Sequence, residues 1–126
     1  MKIKTNESYE VKLYIGSCEG YNGQSFTEGE MIAVIGNYQK NSDATPVRLT
    51  PTAYIHCDYR EKGWEVAAIM YPRYPKSIER INAFMEGLAK HLLVYFKQNR
   101  ISVIFPDKIT MFESDNAEQD NHAKNS

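Results

Sequence analysis

The sequence predicts an α+β fold: a ferredoxin-like βαββαβ domain, with an antiparallel sheet and two helices on one face. Three observations predict it. Tyr9 to Ile15 alternates apolar and polar side chains, the period of a half-buried strand. Two later stretches, 27–41 and 78–98, repeat apolar residues at three- and four-residue spacing, the period of a helix with one buried face. Between them, Pro46 to Pro75 holds two alternating segments separated by a charged turn. The resulting order is the split βαβ arrangement, with a further short strand after it.

In the first strand Tyr9, Val11, Leu13 and Ile15 point inward. The loop GSCEGYNGQSF follows, with Gly16, Gly20 and Gly23 supplying backbone freedom. It has neither a Walker Lys-Ser/Thr pair nor the G-x-G-x-x-G order, and Glu19, Glu28 and Glu30 would repel a phosphate. Thr27 and Glu30 have capping-box spacing. Met31, Ile32, Ile35 and Tyr38 make the stripe of the first helix. Gly29 and Gly36 weaken that helix, and Asn41-Ser42-Asp43 ends it.

In the second strand Val47, Leu49, Ala53 and Ile55 are the inward set. Pro51 cannot donate to a ladder, which assigns this strand to an edge or a bulge. Asp58 to Gly63 reads as the turn. Trp64, Val66, Ala68 and Met70 point inward from the third strand. After Pro72 and Pro75, Ser77 caps a helix of about Ile78 to Gln98, with Ile78, Ile81, Phe84, Met85, Leu88, Leu92, Tyr95 and Phe96 as its stripe. Ile101–Phe105 and Lys108–Phe112 are short strands. Residues 1–113 form one domain, and 114–126 form a polar tail expected to be disordered.

Helices on one face leave the other face of the sheet open. By the alternation it carries Tyr14, Tyr54, Ala67, Ile69 and Ile104 beside Lys12, Arg48, His56, Glu65 and Ser102. So apolar a face is expected to pack on a second copy, giving a dimer or higher oligomer.

Composition narrows the function. The chain has 126 residues and a formal net charge of −1, against the basic excess a general nucleic-acid binder needs. RNA binding through the sheet is further weakened by the missing RNP1 pattern. No apolar leader or membrane-length run is visible, so a cytoplasmic protein is expected. Cys18 and Cys57 fit reduced, buried thiols. His56 and Cys57 are adjacent on a strand and face opposite ways, which excludes a shared metal ion, and His91 is placed on the wet side of its helix. No metal and no cofactor are expected. Asp58, Glu61, Glu65 and Asp107 form no recognisable acid–base pair.

The feature that carries most chemistry is Tyr71-Pro72-Arg73-Tyr74-Pro75, where two prolines restrain two tyrosines and an arginine. Arg48, Tyr54, Tyr59 and Arg100 are expected to join Tyr71, Arg73 and Tyr74 in a pocket for a small anionic, nucleotide-like ligand. Arg80 is a weaker candidate. The competing reading is that this segment only anchors the helix, with Arg73 paired to Glu65 or Asp58. Three function classes follow. The first is a non-enzymatic, homo-oligomeric protein that sequesters or senses such a ligand. The second is a protein-interaction module of inhibitor or immunity type, of a kind that blocks a host defence protein. The third is a small ferredoxin-like enzyme. The motif-poor sequence leans away from catalysis.

Overall fold

The computed structural model describes residues 1–18 and 25–115. In chain order these form β1 (Glu10–Gly16), α1 (Glu28–Lys40), β2 (Val47–His56), β3 (Tyr59–Ile69), α2 (Ile78–Tyr95), β4 (Arg100–Ile104) and β5 (Ile109–Glu113). One antiparallel sheet has the order β2-β3-β1-β4-β5. Its first four strands follow the ferredoxin-like order, and β5 extends the sheet beyond β4 as the second arm of a hairpin.

The alternating residues of β1 decide the layers. Val11, Leu13 and Ile15 are fully buried and meet Val66 and Ala68 of β3 and Ile101 and Val103 of β4 beneath the helices. α2 contributes Ile81, Phe84, Met85, Leu88, Ala89 and Leu92, and Phe96 follows just after it. α1 contributes Met31, Val34 and Ile35. Phe26, at the end of the first loop, stacks between Phe96 and Trp64 with ring centroids 3.9 and 5.5 Å away. That stack ties the start of α1 to the sheet. Both helix N-termini are capped as expected. Thr27 and Glu30 form a reciprocal capping box, and Ser77 Oγ accepts from the Arg80 N–H.

β2 is an edge strand, which is how Pro51 is accommodated. Other expectations need correction. The turn between β2 and β3 is not Asp58 to Gly63 but the two residues Cys57 and Asp58, with Cys57 at φ 56°. Pairing resumes at His56↔Tyr59, because a two-residue hairpin closes wherever one residue accepts positive φ. The hairpin is therefore longer than expected, and beyond Lys62 it projects as an arm with no third strand beside it among the described residues. Ala53 and Ile55, assigned to the core, lie on that arm; Ile55 is 71% exposed because the helices end before they reach it.

On α1, Ile32 faces solvent and Val34 takes its place in the core. α2 stops at Tyr95, three residues short of the expected end, and Tyr95 is exposed. Cys18 and Cys57 are both free thiols, but Cys57 is exposed rather than buried. His91 is half-buried, stacked on Tyr38 at 5.3 Å. The Gly-rich loop at 19–24 lies outside the described residues, and so does most of the expected tail. Ser114 still donates to the Asn99 carbonyl at 2.9 Å, continuing the β4–β5 pairing.

Candidate functional site

The open face of the sheet is built from the outward residues of all five strands. Cross-strand register sets its rows. Arg48, Ala67, Lys12, Ile104 and Ile109 line up in one row, and Thr50, Glu65, Tyr14, Ser102 and Met111 in the next. In the first row the Arg48 guanidinium reaches Glu10 at 2.7 Å, and Lys12 lies between Glu10 at 3.5 Å and Glu65 at 3.8 Å. The Arg48 hydrogen bond holds the Glu10 carboxyl below its ordinary range.

Towards the arm the chemistry changes. Tyr14 leans along its strand until its ring meets Tyr54 at 3.8 Å between centroids, edge to face. Its hydroxyl lies 3.3 Å from the Glu61 carbonyl and 3.4 Å from Glu61 Oε1. Tyr59 donates to the other carboxylate oxygen, Oε2, at 3.1 Å. Gly16 makes room for this carboxylate: a Cβ there would stand 2.6 Å from Glu61 Oε1. Burial, and then the nearby Glu61 charge, push the Tyr14 phenol far above its ordinary range, so Tyr14 remains a donor at any physiological pH. Burial and the Glu65 charge raise Tyr54 in the same direction. Tyr14 thus lies against Glu61, and its ring partner Tyr54 feels the charge of Glu65, which also pairs with Lys12. The combination of aromatic faces and negative charge favours a cation.

The residues singled out from the sequence divide into separate groups. Tyr54 and Tyr59 belong to the cluster just described. Arg48 is on the same face but engaged with Glu10. Arg100, at the far side of β1, pairs with Glu113 at 3.1 Å. Tyr71, Arg73 and Tyr74 follow the opposite end of β3, about ten residues or ~30 Å along the strand from Tyr59. There Arg73 lies over the Tyr74 ring at 5.2 Å and Tyr71 is 6.0 Å from Tyr74. Arg73 pairs with neither Glu65 nor Asp58; Glu65 is met by Lys12 instead. Arg80 forms two bonds to Asp43, at 2.7 and 2.8 Å, which join the start of α2 to the loop before β2. Tyr14 enters the sequence reading only as a residue of the open face, and Glu61 only as a turn carboxylate with no recognisable partner; their meeting is what that reading lacks. Among the described residues no group of three or more His, Cys, Asp or Glu side chains could hold a metal ion.

The molecule is thus a five-stranded α+β protein of ferredoxin-like order with a carboxylate–tyrosine cluster on its open sheet face. No family model and no curated protein matches the chain. Two solved structures are similar to it. A phage SAM lyase in complex with S-methyl-5'-thioadenosine superposes with a TM-score of 0.64 at 14% identity, over 90% of this chain and 95% of that one. A phage SAM lyase in its apo state gives 0.62 at 14% identity, over 85% and 90%. The likeness extends over nearly the whole of each chain, and at this identity it is a likeness of fold.

It overturns the expectation of a non-enzymatic ligand-binding protein, because the protein of like fold is an enzyme. Of the three classes, the small ferredoxin-like enzyme is the one that agrees. The anionic ligand also loses its physical basis. The arginines meant to bind it are spread over both ends of the sheet, and Arg48 and Arg100 have carboxylate partners.

Proposed function

We propose that this chain is a small enzyme that breaks down S-adenosylmethionine or a closely related adenosyl sulfonium. The observation that carries the reading is the Tyr14–Tyr54 pair with Glu61 against Tyr14 and the charge of Glu65 felt at Tyr54. The full-length likeness of fold to a SAM lyase supports it. The substrate has two cationic centres, its sulfonium and its α-ammonium group. Aromatic faces attract a sulfonium through the ring quadrupole, and carboxylates attract both centres. No helix among the described residues is long and apolar enough to cross a membrane.

The chemistry asks little of the protein. When the bond between sulfur and the four-carbon chain breaks, the bonding pair stays on sulfur and leaves as the neutral thioether S-methyl-5'-thioadenosine. The electron-poor carbon is satisfied by attack of the substrate's own carboxylate, or by loss of a proton from the adjacent carbon to water or a carboxylate acting as base. Neither route needs an acid for the leaving group. What accelerates it is holding the chain in a reactive conformer away from water. This accounts for a site with no recognisable catalytic motif.

The open face also fits self-association, because Ile69, Ile109, Met111 and Tyr54 are 38, 68, 50 and 49% exposed beside the cluster. A second copy covering this face would exclude water from the site.

The test is incubation of the purified protein with S-adenosylmethionine, followed by chromatography and mass spectrometry for the thioether. Release above an enzyme-free control is expected. Glu65→Gln, which removes one of the two charges, is expected to lower kcat/KM by about tenfold or more, the size of a lost charge-assisted hydrogen bond. No thioether above the control would refute the reading.

A further inference from the structure

Resting on that reading, we infer that Glu61 is the residue that grips the α-ammonium group of the substrate, and that Tyr14 and Tyr59 are positioning residues that hold its carboxylate in the slot left open by Gly16. The two carboxylates of the cluster are built differently. Glu65 shares a cation, Lys12, at 3.8 Å. None of the ion pairs among the described residues includes Glu61. Tyr59 donates to one Glu61 carboxylate oxygen, the Tyr14 hydroxyl lies between the Glu61 carbonyl at 3.3 Å and the other carboxylate oxygen at 3.4 Å, and Gly16 has no side chain to fill the space. Neutral donors fix the position of a carboxylate without cancelling its charge. Glu61 is therefore a fixed anion whose full charge remains available to a ligand cation.

Which of the two substrate cations it takes follows from the reaction. The sulfonium charge is dispersed as the carbon–sulfur bond breaks. A fixed anion beside the sulfur would stabilise the ground state more than the transition state, and so would slow the reaction. The ammonium charge persists unchanged throughout. An anion there binds ground and transition states alike, and orients the chain without opposing the chemistry. A rigid carboxylate suits the ammonium group, and the polarisable tyrosine faces suit the sulfur, whose charge they release at little cost.

The test compares three ligands by calorimetry: S-adenosylmethionine, S-adenosylhomocysteine, which keeps the ammonium group but has neutral sulfur, and S-methyl-5'-thioadenosine, which has neither cation. Glu61→Gln should weaken the first two equally, by about ten- to a hundredfold, and leave the third unchanged. KM should rise while kcat stays within about twofold. Tyr59→Phe, which leaves the charge but loosens it, should move the same two ligands by less.

Loss confined to S-adenosylmethionine would place Glu61 at the sulfur and overturn the assignment. Equal loss for all three ligands would reduce Glu61 to a structural role and also overturn it. Wild-type protein that binds S-adenosylhomocysteine without cleaving S-adenosylmethionine would remove the lyase reading and leave the Glu61 assignment standing. Cleavage that is unaffected by Glu61→Gln would do the reverse. A wild-type protein that binds none of the three would overturn both.

Discussion

Asp43 shows how much one residue can organise. Its carboxylate accepts two bonds from Arg80, at 2.7 and 2.8 Å, and one from Lys76, at 2.9 Å. Lys76 also donates to the Asp43 and Ala44 carbonyls. These bonds pin the first turn of α2 to the connection between α1 and β2. The Arg80 and Lys76 hydrogen bonds hold the Asp43 carboxyl far below the ordinary aspartate range. A carboxyl whose pKa is depressed on folding stabilises the fold above its unfolded pKa, and that stability is lost as pH falls through the folded value. The contribution should be constant from pH 7 down to about 5 and should decline below about 4. Asp43→Asn is expected to lower the melting temperature slightly at pH 7 and to flatten its decline below pH 4. Thermal melts from pH 7 to 3 check this, and the difference at pH 7 should shrink in high salt because the pair is exposed.

At the scale of elements, two glycines predict opposite outcomes from the same substitution. Gly63 faces Gly16 across β1 and β3, where a Cβ would stand 2.1 Å from the Ile15 carbonyl oxygen and 2.9 Å from the Gly16 Cα. Those are backbone atoms and cannot move aside. Gly63→Ala is therefore expected to cost roughly 1–3 kcal/mol or more, as overpacking does. Gly36 lies in α1 with nothing within 4 Å of its would-be Cβ. Gly36→Ala should stabilise by up to about 1 kcal/mol through helix propensity. Urea unfolding of both variants decides the signs. The Gly16–Gly63 pair also marks where the sheet ends and the hairpin arm begins. It is the bare patch that Tyr14 crosses to reach Glu61, so the backbone approach and the site share one cause.

For the whole molecule, the open face is the property that most needs an occupant. Its apolar residues run from Tyr54 on the arm through Ile69 and Ile104 to Ile109 and Met111 on β5, a strand beyond the four of the basic order. Covering each large side chain is worth roughly 1.5–3 kcal/mol. A stable oligomer is expected at micromolar concentration, and Ile109→Asp with Met111→Asp should return it to monomer. Sedimentation velocity checks both, and a monomeric wild type would remove self-association from the proposed function.

The parts of this protein legible from its sequence are those set by local periodicity. Val11, Leu13 and Ile15 alternate, α2 repeats at three and four, and Thr27 and Ser77 have cap chemistry. Each rule acts within a few residues, so strand order and the two-layer arrangement followed from them. The arm was not legible, because whether Ile55 is covered depends on where the helices end in space. The cluster was not legible either. Tyr14 and Glu61 are 47 residues apart and meet only through the β1–β3 register and the missing side chain of Gly16. The sequence by itself determined the inward face of β1 and most of that of α2, and the order of strands and helices along the chain. Only the tertiary structure decided which outward residues converge. Burial leaves a period that a single segment displays, whereas a binding site is a juxtaposition of segments and has no period to read.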